Sequence, residues 1–316
     1  MKKLLSITLT LLLVVTMFTA CGEKKQFVSI TTGGTGGTYY PIGGAIAQTL
    51  TDNIEGLTVN SQAGNASVAN CNLIGTGETE SALVQNNVAY WAYGGIGAFE
   101  GEAIDNLRGI ASLYPEAIQI VALASSEITS IEDLVGKKVG VGEIGSGVHF
   151  DVANILAAHG MTEKDLKVDY LSFSEASQKL KDKQIDAAFV TAGYPTSSIT
   201  DVNLARDIVI VPIAEAMIDK MIETSPFYAK TVIPAGTYTG IDVDVVTATT
   251  MAMWVVDENV DEDLVYEMTK TLWDNRMDIE SAHEKGKVVT LDTALEGMGI
   301  PLHAGAEKYY KEAGLK

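Results

Sequence analysis

Arginine is almost missing from this chain: Arg108, Arg206 and Arg276 are the three in 316 residues. Lysine does not make up the difference. Lys and Arg together number 22 against 41 Asp and Glu, for a formal net charge of −19. A protein that reads phosphate backbones needs a basic stripe, and none is present, which argues against nucleic acid as a partner. Cysteine is scarcer still, with two, so a disulfide framework is out of reach. Four histidines lie scattered without metal-ligand spacing. His283-Glu284 lacks the second His of a zinc helix, and the acids from Asp257 to Asp263 miss the glycine and final glutamate of a calcium loop. They read as a solvated helix start, and no metal is implied. Beyond Leu4–Phe18, no apolar run approaches the ~20 residues of a membrane span.

What is present begins with a targeting signal. Lys2 and Lys3 form a basic start, and Leu4–Phe18 is apolar apart from Ser6, Thr8, Thr10 and Thr16. That layout predicts a signal peptide over 1–20, followed by a polar tether over 21–25. The run Phe18-Thr19-Ala20-Cys21 resembles a bacterial lipobox, with Phe where Leu is commoner. The resemblance implies cleavage before Cys21 and a lipid on its sulfur; the alternative is an ordinary secretory signal with a coincidental cysteine. Both readings place the mature protein outside the cytoplasmic membrane. Losing Lys2 and Lys3 takes the net charge from −19 to −21. If Cys21 is lipidated, Cys71 has no partner. Val68, Cys71 and Ile74 recur every three residues, so Cys71 is expected to pack as a small apolar group rather than serve as a thiol nucleophile.

A chain of this length makes roughly two domains. Strand-like runs at Phe27–Thr31, Leu57–Ser61, Ser81–Val84, Leu107–Leu113, Ile118–Ala124, Lys138–Val141, Val168–Leu171, Ala187–Val190 and Ile208–Val211 alternate with helical patterns. The first helix carries Ile42, Ala45, Ile46, Thr49 and Leu50 on one face, with Pro41 in its first turn. Such alternation predicts an α/β protein with mostly parallel sheets. After Pro212 the texture changes. Val243–Val256 reads as part strand and part helix, Asp261–Asn275 and His303–Ala313 as helices. Breaks are expected at Tyr114-Pro115 and at Pro212.

Two glycine-rich strand-to-helix turns invite functional readings. The first, Thr32–Thr38, lacks the third glycine of G-x-G-x-x-G and the Lys-Ser/Thr pair of a P-loop, so no nucleotide cofactor is implied. A ligand near its backbone N–H groups, or a tight turn without one, both fit. The second, Gly145-Ser146-Gly147, has Ile144 and Val148 where a nucleophile elbow has glycines. Ser146 reads instead as an N-cap or as a hydroxyl donor to a bound ligand. Tyr39, Tyr40, Tyr90, Trp91, Tyr93 and Tyr114 crowd the same stretches. In open α/β sheets ligands lie beyond the carboxyl ends of strands. Two such turns without a catalytic constellation point to a binding protein before an enzyme.

Several segments resemble a known family. Ile131-Glu132-Asp133-Leu134-Val135-Gly136-Lys137-Lys138-Val139-Gly140-Val141 is similar to a stretch in many periplasmic solute-binding proteins. Four others are sharper: Gly34-Thr35-Gly36-Gly37-Thr38-Tyr39-Tyr40-Pro41; Leu171-Ser172-Phe173-Ser174-Glu175-Ala176 through Phe189-Val190-Thr191-Ala192-Gly193; Ile233-Pro234-Ala235-Gly236-Thr237-Tyr238; and Ile300-Pro301-Leu302-His303-Ala304-Gly305-Ala306. Together they resemble the TAXI family, solute-binding subunits of one branch of TRAP transporters, from about residue 27 to the C-terminus.

The resemblance implies two Rossmann-like α/β lobes with a ligand cleft between them, as in type II periplasmic binding proteins. One lobe would hold 26–112 and 213–316, the other 113–212. It implies capture of a small carboxylate or amino acid, glutamate or glutamine first, by hinge closure, with delivery to TRAP membrane subunits and no chemistry. The ligand-binding residues it implies are Thr35, Gly36, Tyr39, Ser67, Gln85 and Tyr90 from the first lobe, and Ser146, Gly147, Thr191 and Ala192 from the second. Where the family often has Asp two places after Gln85, this chain has Asn87. A binding module feeding a sensor and an extracytoplasmic enzyme of similar fold remain the competing readings.

Overall fold

The computed structural model describes residues 26–316; the signal segment, Cys21 and the tether lie outside them. The chain forms one ten-stranded mixed sheet flanked by helices. Its first half opens with β1 (Gln26–Thr31), α1 (Tyr39–Asn53), β2 (Leu57–Gln62), α2 (Ser67–Gly75), β3 (Ser81–Gln85) and α3 (Asn86–Gly94). β1 pairs in parallel with β2 and with β3. All five residues of β3 are buried, the continuous run expected of a strand covered on both faces.

β4 (Leu107–Leu123) then leaves this half for the other. There follow β5 (Lys138–Gly140), α4 (Gly147–Ala158), β6 (Lys167–Asp169), α5 (Phe173–Lys181), β7 (Ala187–Ala192), α6 (Ser197–Ala205), β8 (Ile208–Val211), α7 (Glu215–Thr224) and β9 (Ala229–Ile233). β10 (Val245–Asp257) returns, and α8 (Glu262–Asp274), α9 (Arg276–Ala282) and α10 (Ala304–Glu312) complete the chain. The principal strand order is β2-β1-β3-β10-β4-β7-β5-β6. β4 and β10 run antiparallel through the middle. β10 pairs with β3 at one end and β9 at the other, while β4 continues into ladders with β7 and β8.

Two sequence expectations change here. Tyr114-Pro115 does not divide β4, which runs unbroken for 17 residues. The pairing jumps from Met253↔Ser112 to Ala252↔Tyr114, a bulge at Leu113. Proline is tolerated in strands at such irregularities, and Pro115 stands two residues on. Val243–Val256 contains no helix. Its β-branched residues Val245, Val246, Thr247, Thr249, Thr250, Val255 and Val256 suit a strand flanked on both edges, and β10 takes nearly all of the run.

The apolar side chains gather in four clusters that divide between the halves. Ile30, Ile46, Leu83, Tyr114, Trp254 and Tyr310 share one, and Cys71 joins Ile74, Val88 and Leu107 in another. Cys71 is fully buried, as its spacing predicts. In the second half, Ile120, Val139, Ile155 and Phe189 form one cluster, and Leu180, Val190, Ile199 and Ile210 the next. Ile213, Ile218, Met221, Tyr228 and Ala248 pack in the third cluster, and Ile233, Tyr238 and Val245 in the fourth. The segment 213–248 therefore packs with the second half, not with the first as the break at Pro212 suggests. Proline ends β8, but the chain stays on the same core until β10 carries it back.

The C-terminal helix is tied on by a glycine. A Cβ at Gly305 would lie 2.2 Å from the Glu262 carbonyl oxygen and 2.6 Å from the Tyr266 nitrogen, backbone atoms of α8 that cannot swing away. Gly305→Ala is expected to destabilise the fold by about 1–3 kcal/mol, the usual cost of overpacking. Urea unfolding checks this; an unchanged midpoint would contradict the close packing of α10 on α8.

Candidate functional site

The loops at the carboxyl ends of strands from both halves meet at one cleft. Gly33, Gly34, Gly37 and Thr38 come from the turn after β1, Tyr39 from the start of α1, Ala66 and Ser67 from the start of α2, and Gln85 from the end of β3. β4 contributes Glu116. The second half brings Glu143, Ser146, Gly147, Val148, Leu171, Phe173, Thr191 and Ala192. The crossing strands thus set two sets of loops face to face, the arrangement expected of ligand sites in α/β proteins.

Seven of the ten sequence-predicted residues line this cleft: Tyr39, Ser67, Gln85, Ser146, Gly147, Thr191 and Ala192. Ser146 is the N-cap of α4; its hydroxyl oxygen accepts from His149 N at 3.3 Å and donates to the Glu143 carbonyl at 2.7 Å. The His149 ring faces away, with Nε2 2.7 Å from Glu163 Oε1, so Ser146 and His149 do not form a nucleophile–base pair. Gly147 and Val148 open the helix, and their N–H groups have no carbonyl one turn back to bond. Ser67 Oγ accepts from Gln85 N at 3.0 Å, fixing the end of β3 against the start of α2.

Three predicted residues do not line it. Thr35 is exposed at the loop apex. Gly36 touches the opposite half directly: its carbonyl accepts from Ser197 Oγ at 3.0 Å and Ser198 N at 3.2 Å. Tyr90 is 42% exposed and packs on Phe227 with ring centroids 4.9 Å apart. Composition marks the loop and the aromatic-rich helix, but not which side chain turns inward. Asn87 is buried beside Asp151 and Tyr228 rather than on the lining, with Nδ2 unpartnered among the described residues.

Two buried acids that the sequence reading passes over organise the site. Glu116, 2% exposed, lines the cleft and accepts from the Tyr39 hydroxyl at 2.8 Å. Burial pushes its carboxyl well above the usual range; the Tyr39 hydrogen bond opposes this and the nearby Asp151 charge adds to it. Asp151 lies behind the lining, fully buried. Gln85 Nε2 donates to its Oδ2 at 2.9 Å, Thr191 Oγ1 to the same oxygen at 2.6 Å, and the Tyr228 hydroxyl to Oδ1 at 2.8 Å. Burial pushes Asp151 up to about 6, against the lowering effect of the Thr191, Gln85 and Tyr228 bonds. No lysine, arginine or histidine lines the cleft among the described residues.

The halves are closed on one another. Besides Gln85–Asp151 and the Gly36 carbonyl, Thr38 Oγ1 donates to the Gly193 carbonyl at 2.9 Å and Ala69 N to the Gly145 carbonyl at 3.2 Å. The Trp91 and Phe150 rings meet edge-on at 5.5 Å. The tightest approach is at Gly147, where a Cβ would lie 1.3 Å from Gln85 Oε1.

Residues 30–314 match the sequence profile of the NMT1-like family. Solved structures share the fold at low identity. The alkanesulfonate-binding protein SsuA from Xanthomonas axonopodis pv. citri, bound to MOPS, is 14% identical with a TM-score of 0.51, covering 92% of this chain and 85% of its own. PhnD1 from Prochlorococcus marinus, in complex with methylphosphonate, is 10% identical with a TM-score of 0.56, covering 92% and 100%. A putative L-cystine ABC transporter protein from Listeria monocytogenes is 14% identical with a TM-score of 0.51, covering 85% and 98%. These likenesses concern the fold, two α/β lobes of the type II periplasmic-binding kind.

Proposed function

The chain belongs to the NMT1-like family, and on that premise we propose that it is an extracytoplasmic solute-binding protein of a transporter. The observation that carries this reading is the cleft itself, built from strand ends of both halves and bridged by hydrogen bonds between them. A solute that bonds to both walls stabilises the closed form over the open one, and closure is how it is captured. The hinge lies in β4 and β10, near Pro115 and Thr249–Thr250, and the second lobe takes 117–248. The N–H groups of Gly147 and Val148 form the donor end, which the Ser146 cap holds in place. Ser67, Gln85 and Thr191 are the polar side walls, and Tyr39 and Ala192 shape the pocket. The protein holds and releases its solute without chemistry.

The segments that resemble the TAXI family favour TRAP membrane subunits as the recipient, and a small carboxylate or amino acid, glutamate or glutamine first, as the solute. A lipid on Cys21 would keep the protein at the membrane surface. Cys21→Ser is expected to abolish metabolic lipid labelling and move the protein from the detergent phase to the aqueous phase; unchanged partitioning would contradict the anchor. Solute capture is tested by thermal unfolding of ligand-stripped protein against amino acids, carboxylates, sulfonates and phosphonates. A ligand at 100 times its Kd adds about 2.7 kcal/mol and raises the midpoint by degrees. No shift with any solute would count against the reading.

A further inference from the structure

We infer that His283 and Lys285 are positioning residues for solute capture: from outside the cleft lining they grip the segment Gly193-Tyr194-Pro195 of the other half and so set how much of the protein is closed. The inference rests on the solute-binding reading above and concerns closure, whichever solute is held. Tyr194, Pro195, His283 and Lys285 all stand off the lining. His283 Nδ1 accepts from the Lys285 backbone N–H at 3.0 Å, so in the neutral ring the proton is on Nε2. Burial holds His283 below the usual range, and the Lys285 charge adds to this, so the ring is neutral at pH 7. Nε2 donates across the halves to the Pro195 carbonyl at 3.2 Å. Lys285 makes the second contact. It is 6% exposed, and its Nζ lies 3.2 Å from the centroid of the Tyr194 ring. A lysine so buried ordinarily has a carboxylate partner. The neighbouring Glu284 is paired instead with Lys287 at 2.8 Å. The ring face supplied by the other half takes that place. Burial pushes the ammonium down to about 8, against the pull of Glu284, so it is charged at pH 7.

Both sides of this contact are braced by their own half, so a grip on the segment holds the half that carries it. In the second half, Thr196 N donates to the Tyr238 hydroxyl at 2.9 Å, Thr196 Oγ1 to the Gly193 carbonyl at 3.0 Å, and the Tyr194 hydroxyl to the Val232 carbonyl at 3.2 Å. In the first half, His283 caps the short turn Glu284–Val288. That turn lies so close to α9 that a Cβ at Gly286 would stand 2.2 Å from the Ile279 carbonyl oxygen. The two sides also meet without spare room: a Cβ at Gly193 would lie 2.5 Å from Lys285 Cγ and 3.1 Å from Thr38 Cγ2. Residues 193–195 and 283–285 belong to different halves, so opening about β4 and β10 parts them. The contact therefore belongs to the closed form. Apparent affinity scales with the share of protein able to close, so the grip strengthens binding of every solute by one factor.

The test is calorimetric titration of the mature chain with L-glutamate, L-glutamine, methanesulfonate and methylphosphonate, beside off-rates by stopped flow. Each solute that binds wild type is expected to bind His283→Ala about 2- to 12-fold more weakly, the worth of one hydrogen bond. The factor should be the same for each solute and should arise from a faster off-rate. His283→Gln sets an amide donor where Nε2 stands and should restore wild-type affinity. Tyr194→Leu should weaken binding about 2- to 30-fold, the range of a cation–π contact. That effect should vanish in a Lys285→Met background, where no ammonium remains to be covered. Circular dichroism confirms the fold of each variant. Unchanged affinity in His283→Ala and Tyr194→Leu, or a factor that differs from one solute to the next, overturns the inference and leaves solute capture standing. If His283→Ala does not fold, the Tyr194–Lys285 pair of variants decides alone. If none of these solutes binds, the solute-capture reading fails and this inference fails with it.

Discussion

Gly147→Ala is expected to weaken solute capture strongly while leaving the protein folded. Gly147 opens α4 on one side of the cleft, and Gln85 ends β3 on the other. A methyl group at Gly147 would lie 1.3 Å from Gln85 Oε1 and 2.5 Å from its Cδ, far inside contact distance. Gln85 cannot swing aside freely, because its amide nitrogen is tied to Asp151 and Thr250 and its backbone N–H to Ser67. The clash exists only when the halves are together. Each half folds on its own core, so opening the hinge relieves the strain. Overpacking costs about 1–3 kcal/mol, and here the whole cost falls on the closed state. The solute's Kd should rise about 5- to 150-fold, with little change in the unfolding midpoint of the ligand-free protein. Calorimetric titration beside thermal unfolding separates the two; unaltered affinity would mean that binding does not need this approach.

Asp151 should make stability depend on pH, with a sign opposite to that of an ordinary paired carboxylate. Burial pushes Asp151 from the usual 3.8 up to about 6 in the folded protein. Between those values the folded chain holds a proton that the unfolded chain has released. The contribution is therefore fully present below about pH 4 and is lost as pH rises through about 6. A shift of this size corresponds to about 3 kcal/mol. Asp151→Asn removes the titration but keeps the side-chain shape, at the loss of one accepted hydrogen bond. Urea unfolding at pH 4.5, 5.5, 6.5 and 7.5 should show wild type falling relative to the variant across this window. Glu116, also raised, is present in both proteins, but the variant removes the Asp151 charge that adds to its shift, so the difference reports Asp151 together with that coupling. A constant difference between the two would show that Asp151 does not hold a proton in the fold.

Much of the site is legible in the sequence because strand ends followed by Gly, Ser and Thr have few structural uses. Tyr39, Ser67, Gln85, Ser146, Gly147, Thr191 and Ala192 all sit where an α/β chain turns from strand to helix or ends a strand, and all line the cleft. Thr35, Gly36 and Tyr90 occupy the same segments but point elsewhere, since residue type does not say which side of a turn faces inward. The two acids were within reach. Asp151 falls on the face of α4 marked by Val148, Val152 and Ile155, so periodicity buries it. Glu116 interrupts a long apolar strand, and a charge there needs a reason. Their partners were not within reach: Gln85 and Tyr228 lie 66 and 77 residues from Asp151 in sequence and meet it only through β4 and β10 crossing the molecule. The placement of 213–248 also depends on three-dimensional packing. Pro212 ends a strand, which looks the same in sequence whether or not the chain then leaves its core.

The central claim is that a solute closes two lobes about β4 and β10. It is tested most directly by the distance between spin labels on exposed Glu55 in one half and exposed Val135 in the other, in a chain with Cys21→Ser so that buried Cys71 is the other thiol. With a solute identified by thermal shift, the account predicts a longer, broader distribution in free protein that becomes a single shorter distance at saturation. A distribution that does not change at saturation would contradict capture by closure.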